Sequence, residues 1–267
     1  MTDLFRSLTR LFHWGSVAPS PGTYYGSPTP VAQRFRAVLD SHRPAAATGE
    51  ALRGALLPPV KQFLGEERRR IEVTHRQGAS GLEVVGQHTE VVDAVVCEIF
   101  RLADDSLAGI ARERTEGCAI VALGGYGRRE LNPASDVDLM FLIPRRVDEY
   151  VASVLDQVLY FLWDLGFTVG HSCRSLADAV QMMESDLTAR TSMLEARLLA
   201  GRPAVFADLQ ARLWRNLQGR RSHHYIAQKL EEQERRHAKF GGSVFLQEPN
   251  VKEGPGGLRD FHVALWA

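Results

Sequence analysis

The sequence predicts an α/β (α+β) fold in which a small mixed sheet, flanked by helices, is followed by a helical half. Three observations predict it. Short, apolar, β-branched runs are confined to about residues 118–173. Longer segments with apolar residues at every third or fourth position lie on both sides of those runs. After residue 175 the pattern is helical almost throughout, and we find no internal repeat.

The composition is that of a globular protein without an obvious polyanionic partner. The 267 residues are 45% hydrophobic, and 32 basic side chains balance 32 acidic ones. This neutral balance, together with the lack of a recognition-helix motif, predicts no nucleic-acid partner. No apolar run reaches the roughly 20 residues that span a bilayer, so we also predict no membrane partner. Three cysteines far apart in sequence argue against a disulfide framework or zinc ribbon and favour the cytoplasm.

The first 80 residues are predicted to hold a tail and a helical region. Residues 1–30 include a stretch rich in Pro, Gly and Ser, which predicts a disordered or linker-like tail. Residues 31–80 form an N-terminal helical region, in which Pro44, Pro58 and Pro59 are predicted to break the helices.

A predicted α/β core follows at residues 81–175. It opens with a helix over about 82–114, because apolar residues recur there at spacings of three, four and seven. Asp104, within this helix, is assigned to a solvated face. Residues 118–123 and 137–143 are short and apolar and predict two buried strands.

The rest of the core alternates helix and strand before the helical region at residues 176–267. Residues 148–166 predict an amphipathic helix, and residues 167–173 a third strand. Ser175 is a predicted N-cap, with Asp178 three positions later. Further helices are predicted at about 186–200, 204–218 and 222–239.

The connection between the first two strands reads "ALGGYGRRELNPASDVDLM" and carries a pair of aspartates. Side chains at positions i and i+2 of a strand point to the same side, so Asp136 and Asp138 are expected to project together. Two ionised carboxylates a few ångströms apart repel each other, and a divalent cation relieves the repulsion. Magnesium often takes one or two carboxylates together with substrate phosphates.

Two glycines at the start of the same connection suit a phosphate. Gly124 and Gly125 allow the backbone to approach a phosphate closely and to direct N–H groups toward it. A helix beginning near residues 126–130 adds a favourable dipole, and Arg128 is available for anionic oxygens. Each feature alone also fits an ordinary turn or an exposed Asp pair. Their combination predicts a metal-assisted nucleotidyl-transfer site.

These residues resemble the polymerase-β-like nucleotidyltransferases, whose pattern is a Gly-Gly or Gly-Ser turn followed by Asp-x-Asp. More closely, the segment resembles the bacterial PII uridylyltransferase/uridylyl-removing family. So do "VGHSCRSLADAV", "SDLTARTSMLEARLLAG" and "EQERRHAKFGGSVFLQEPNVKEGPGGLRDFHVALWA". The resemblance covers about residues 118–267, and residues 1–80 contribute nothing to it.

The resemblance implies a function and a set of site residues. The family transfers UMP from UTP to a tyrosine hydroxyl of the PII nitrogen-regulatory protein and releases pyrophosphate. The resemblance implies that Gly124 and Gly125 hold the nucleotide phosphates, and that Asp136 and Asp138 are catalytic and ligate Mg²⁺. Arg128 and Ser135 lie within the matched motif, and their assignment to phosphate contacts is a physical inference.

The chain departs from the family in two respects. Family members continue into an HD domain that removes UMP and two ACT domains that bind glutamine. This chain ends at Ala267, so we expect neither activity from it. Many members of the superfamily also have a third carboxylate on a later strand. At that place this sequence has His171. A structural hydrogen bond explains His171 at least as well as a place in the site does. Glu195 is expected to form a salt bridge in the packing layer.

Two alternatives remain open on the sequence alone. One is a nucleotidyltransferase with a different acceptor, because the motif names neither the acceptor nor the nucleotide base. The other is a truncated, non-catalytic remnant that binds nucleotide or PII. The two intact aspartates favour an enzyme, and the oligomeric state is not indicated.

Overall fold

We describe residues 23–45, 47, 49–107, 117–241, 245 and 247–266 of a computed structural model. Within these ranges the chain forms ten helices and four strands. In chain order they are α1 Pro30–His42, α2 Gly49–Arg76, α3 Gly81–Ser106, β1 Ala119–Ala122, α4 Gly124–Gly127, β2 Val137–Ile143, α5 Glu149–Asp164, β3 Val169–Ser175, α6 Leu176–Ser185, α7 Leu187–Leu194, β4 Arg197–Gly201, α8 Pro203–Asn216, α9 Arg220–Lys239 and α10 Leu258–Trp266.

The chain divides into two compact units. The first comprises the described residues up to Ala179 together with Glu195–Leu209, and the second comprises Val180–Leu194 together with the described part of Gln210–Ala267. The first unit contains the whole sheet, so the predicted α/β class with a small mixed sheet is confirmed. None of the helices in the described part of the chain has the length and apolar character needed to cross a membrane.

The sheet has the order β3-β2-β1-β4 and mixes both strand directions. β1 is antiparallel to β2 and to β4, whereas β2 and β3 are parallel. Alternate residues of the central strands face a shared core with helices α3 and α5, because side chains alternate between the two faces of a strand. The core side of the sheet is formed by Ile120, Ala122, Val137, Leu139, Phe141 and Ile143.

The fourth strand corrects a sequence prediction. A helix was predicted over residues 186–200, but helix α7 ends at Leu194 and Arg197–Gly201 form strand β4. The run is short, apolar and almost wholly buried, and periodicity alone does not separate a buried strand from a buried helix segment. Pairing with the open edge of β1 decides the outcome, since it satisfies the backbone groups of both segments.

The predicted helix breaks at two prolines are also wrong. Helix α2 runs through Pro58 and Pro59 without interruption. Prolines at these positions deprive the carbonyls of Gly54 and Ala55 of their helical donors. Both of those residues are exposed, so water can solvate the carbonyls, while buried apolar residues on either side hold the helix to the core.

The segment before α1 is attached to the body of the first unit. Tyr24 exchanges two backbone hydrogen bonds of 2.7 Å with Gly201 at the end of β4. The Tyr25 hydroxyl donates to the carboxylate of Asp104. The tail predicted over residues 1–30 therefore does not extend over residues 23–29, and its remainder lies outside the described residues.

Asp104 is buried, accepts two side-chain hydrogen bonds and does not lie on the solvated face predicted for it. Its side chain is almost fully buried, and the hydroxyl of Tyr150 on α5 donates to it over 2.7 Å, in addition to the hydrogen bond from Tyr25. Burial, followed by the bond to Asp104, raises the pKa of Tyr150, so its hydroxyl stays protonated as a donor. The carboxylate thus connects α3, α5 and the segment before α1.

Arg197, at the start of β4, fixes the turn that follows β1. Its Nη1 and Nη2 donate to both carboxylate oxygens of Asp93 on α3, over 2.8 and 3.0 Å. The same guanidinium donates to the carbonyls of Tyr126 and Gly127 over 3.0 and 3.2 Å. Although burial disfavours the charge, Asp93 raises the pKa of Arg197, so the clamp stays ionised.

The three cysteines lie in or beside the core. Cys97 and Cys118 are buried and Cys173 is partly buried, and all three are free thiols. Burial raises the pKa of Cys118 to about 12, which disfavours the nucleophilic thiolate.

Charged side chains connect α9 and α10 in the second unit. Arg236 donates to Asp260 over 2.7 Å, and His237 lies 2.9 Å from the same carboxylate. Although burial alone would raise it, hydrogen bonds from Arg236, Gln233 and His237 hold the pKa of Asp260 well below its usual value.

We predict that Tyr150→Phe lowers the free energy of unfolding by about 1–3 kcal/mol, because it removes a donor from a buried carboxylate. Tyr160→Phe is the matched control, since Tyr160 lies on the same helix and is exposed. Urea unfolding followed by circular dichroism measures both. Equal stabilities of the two variants would contradict the role given to Asp104.

We predict that Asp93→Asn destabilises the protein by roughly 3 kcal/mol, because it leaves the guanidinium of Arg197 without its counter-charge in a largely buried position. Asp105→Asn on the same helix removes a more exposed ion pair with Arg101 and should cost at most about 1 kcal/mol. Unfolding midpoints of the two variants test this difference, and similar midpoints would exclude a special role for the clamp.

Candidate active site

The glycine turn and the second aspartate meet at one end of the sheet. β1 and β2 are antiparallel neighbours, and the N–H of Leu123, just after β1, donates to the carbonyl of Asp138 over 3.1 Å. The chain then makes the single helical turn α4, in which Gly127 N–H donates to the Leu123 carbonyl over 3.0 Å. Gly124 begins this turn at φ +56°, a left-handed conformation that favours glycine.

The helix of this connection begins earlier than predicted. It begins at Gly124 and not near residues 126–130, it ends at Gly127, and Arg129 follows it with φ 66°. Backbone bonds from Arg128 to Gly124 (3.0 Å) and from Glu130 to Gly125 (2.8 Å) close the turn. The connection is therefore a compact loop folded over the glycines.

The carboxylate of Asp138 lies between this turn and strand β3. Asp138 is exposed, whereas Val137 and Leu139 on either side of it are buried, as expected for alternation on a strand. A Cβ atom built on Gly124 would lie 3.6 Å from Oδ2 of Asp138. A Cβ atom on Gly170, its register partner on β3, would lie under 3.0 Å from Oδ1.

Asp136 and Ser135 lie on an exposed loop that is anchored at its base. Leu131 is buried, and its N–H donates to the hydroxyl of the buried Thr89 on α3 over 3.1 Å. Beyond it, Ser135 N–H donates to the Asn132 carbonyl over 3.0 Å, and both Ser135 and Asp136 are exposed. Asp136 directly precedes β2, two residues before Asp138. That the two carboxylates project to the same side stays a prediction.

Arg128 is held in an ion-pair network beneath the turn. It donates to Glu130 over 2.9 Å and to the buried Glu195 over 2.5 Å, which confirms the salt bridge expected of Glu195. Although burial disfavours the charge, Glu195 and Glu130 raise the pKa of Arg128. A contact between Arg128 and phosphate stays a prediction, and it requires the guanidinium to be shared with these two carboxylates.

The main chain at Glu195 also touches the turn. A Cβ atom on Gly127 would lie under 3.0 Å from the carbonyl oxygen of Glu195, so only glycine fits between them. Together with Arg197, which binds the carbonyls of Tyr126 and Gly127, this contact supports the turn from the β4 side.

His171 does not join the aspartates. It is in register with Leu139, which places it on the opposite face of the sheet from Asp138. Its ring lies 5.7 Å from that of Trp163 on α5. The alternative in which His171 reaches the site is therefore wrong.

The donor set suits a hard cation that brings ligands of its own. Among the described residues, no group of three or more His, Cys, Asp or Glu side chains could hold a metal. Asp136 and Asp138 supply oxygen donors, and Mg²⁺ commonly binds through one or two carboxylates plus water and substrate phosphates. The residues present therefore fit Mg²⁺ better than a metal that needs a full protein cage.

Sequence reasoning missed two supports of the site. The ion pair of Arg197 with Asp93 joins residues 104 positions apart, and no local sequence pattern predicts a contact over that separation. Gly170 did carry a signal, because a glycine inside a strand often marks a close approach by another group.

Two family models match the chain. The model described as GlnD PII-uridylyltransferase matches residues 224–267. The model described as glutamate-ammonia ligase adenylyltransferase matches residues 34–163, which include the whole glycine turn and both aspartates. The second match begins well before residue 80. The prediction that the useful resemblance is limited to residues 118–267 is therefore wrong.

Curated relatives match most of the chain, and those described here are named bifunctional uridylyltransferase/uridylyl-removing enzyme. The protein of Erythrobacter litoralis is 38% identical over 248 residues, which cover 89% of this chain and 27% of the relative. That of Novosphingobium aromaticivorans is 40% identical, covering 88% and 25%. That of Cereibacter sphaeroides is 42% identical, covering 66% and 19%. The chain therefore belongs to the family of bifunctional uridylyltransferase/uridylyl-removing enzymes, and it spans about a quarter of the length of the first two relatives.

Proposed function

We propose that this chain is a nucleotidyltransferase that moves UMP from UTP to a tyrosine hydroxyl of a PII signalling protein and releases pyrophosphate. One observation carries the proposal. The sheet register brings the glycine turn against the carboxylate of Asp138, with Gly124 beside Oδ2 and the Leu123 N–H on the Asp138 carbonyl. The name of the relatives supports the uridylyl group, and the description of the family model that matches residues 224–267 supports PII.

We assign the phosphates of the nucleotide to the turn. Gly124 and Gly125 lack side chains, so phosphate oxygens can approach the backbone N–H groups. We assign Ser135 and Arg128 to further phosphate oxygens, Ser135 through its exposed hydroxyl and Arg128 through a shared guanidinium. In the reaction the tyrosine hydroxyl loses its proton to solvent and its oxygen bonds to the α-phosphorus. The bond between the α-phosphorus and the oxygen that bridges to the β-phosphorus breaks, and that oxygen leaves with the pyrophosphate.

We assign the metal to Asp136 and Asp138. A Mg²⁺ ion held there would neutralise charge on the α-phosphate and on the leaving pyrophosphate. The two aspartates hold the site's negative charge at the N-terminal end of β2, and the exposed position of both leaves room for a nucleotide. We propose a cytoplasmic location, where UTP is available.

Adenylyl transfer is a second candidate, favoured by one finding. The adenylyltransferase family model matches the segment that contains the complete site. The glycine turn and the aspartates contact phosphates and metal, which UTP and ATP share, so these residues do not select the base.

We predict that label from UTP marked at its α-phosphate appears on PII in the presence of Mg²⁺, and that Asp136→Asn/Asp138→Asn lowers the rate at least about 100-fold. The reason is the loss of several kcal/mol of charge stabilisation at the phosphates. The measurement is transfer of label by the purified chain, with a PII variant whose acceptor tyrosine is phenylalanine as the acceptor control.

Asp208→Asn is the matched control variant, because it makes the same change at an exposed carboxylate outside the site. It should transfer label at the wild-type rate. Parallel reactions with labelled ATP separate the two candidates. Faster transfer from ATP would replace the uridylyl proposal with the adenylyl one, and equal rates for wild type and the double variant would exclude the assigned site.

A further inference from the structure

We infer that Gly170 is a positioning residue for the metal-binding carboxylate of Asp138. The hydrogen at position 170 leaves the space that Oδ1 of Asp138 occupies, and any larger side chain would turn that carboxylate away. This inference rests on the proposed function, because it concerns the orientation of a group that we assign to Mg²⁺.

The contact is specific to the carboxylate. A Cβ atom at position 170 would meet Oδ1 of Asp138 at less than 3.0 Å, a separation that real Cβ atoms essentially never show. The next atoms it would meet are Cγ of Asp138 at 3.6 Å and its Cα at 4.0 Å. All three belong to Asp138, so the space at Gly170 serves that residue and not the approach of a third segment.

The carboxylate of Asp138 lies between two glycines. Strand β2 lies between β1 and β3, and Oδ1 faces Gly170 on β3 while Oδ2 faces Gly124 at the end of β1. The Asp138 main chain is held by the Leu123 N–H over 3.1 Å and by its register with Gly170. The backbone of Asp138 is thus fixed, and the missing side chain at Gly170 leaves open the space that Oδ1 occupies.

The orientation matters because Mg²⁺ tolerates little deviation in ligand geometry. It demands near-octahedral coordination at about 2.0–2.1 Å. Residues that orient a metal ligand typically change metal affinity or activity about 10–100-fold when they are replaced. Displacing Oδ1 therefore acts on metal binding directly, even though Gly170 has no side chain to touch the ion.

Alanine at position 170 is expected to leave the fold intact. The φ angle of Gly170 lies outside the left-handed region, so its backbone suits alanine, and β3 is paired with β2 along seven register positions. The clash is with the end of a short, exposed side chain, which moves more easily than paired backbone. By contrast, Gly124 has φ +56°, so a substitution there would add backbone strain and confuse the result.

The test is Mn²⁺ binding by the full 267-residue chain, measured from the electron paramagnetic resonance signal of the free ion. We compare wild type, the single variants Gly170→Ala and Asp138→Asn, the double variant Gly170→Ala/Asp138→Asn, and the control Gly86→Ala. Gly86 is the matched control, because it lies in helix α3 and a Cβ atom there meets nothing within 4 Å. Each protein is also unfolded in urea.

We expect Gly170→Ala to bind Mn²⁺ about 10-fold or more weakly than wild type while its unfolding midpoint stays close to that of wild type. The double variant should bind no more weakly than Asp138→Asn, because Gly170 acts through that carboxylate. Gly86→Ala should bind Mn²⁺ as wild type does.

Two results would overturn the inference alone. One is wild-type Mn²⁺ affinity in Gly170→Ala, and the other is a large loss of stability, which would make Gly170 a structural residue. Equal Mn²⁺ binding by wild type and Asp138→Asn would instead remove the metal site itself, and the inference with it. If uridylyl transfer to PII fails while Mn²⁺ binding still depends on Asp138, the result would contradict only the proposed acceptor or nucleotide.

Discussion

The arrangement of the first unit depends on one buried guanidinium. Arg197 binds Asp93 on α3 through two nitrogens and binds the carbonyls of Tyr126 and Gly127 at the end of the glycine turn. A planar guanidinium with fixed donors meets these partners at once, which a lysine ammonium does not. The edge strand, the core helix and the turn are thereby fixed relative to one another, and the position of the proposed phosphate site follows from this clamp.

Strand β2 exposes one carboxylate between buried residues. Residues such as Leu139 and Phe141 on β2 face the helical core, and Asp138 between buried neighbours faces the other way. The same alternation removes His171 from the site, because it shares a face with Leu139. A shift of one residue in the pairing of β2 would reverse both assignments, so the register of β2 with β1 and β3 specifies the face on which Asp138 lies.

Much of the local structure was predictable from the sequence, whereas its long-range partners were not. The strand Val137–Ile143 was predicted to the residue, and the N-cap at Ser175 is confirmed by bonds of 2.7 and 3.1 Å with Asp178. Strand β4 and buried Asp104 were predicted wrongly, because each owes its state to partners distant in sequence. The approach of Gly124 to Asp138 was predictable because both lie in one short segment that connects two paired strands.

The charges around the turn indicate which groups are left to meet a nucleotide. Arg128 is compensated by Glu130 and Glu195, and Arg129 lies 3.8 Å from Glu90. The arginines that follow the glycines therefore act first as supports, and the turn presents mainly its backbone. Asp136 and Asp138 add negative charge beside it, which by itself repels a triphosphate. In the proposed site a divalent cation is thus needed for binding as well as for reaction, because it turns two repelling carboxylates into an attachment point for the phosphates.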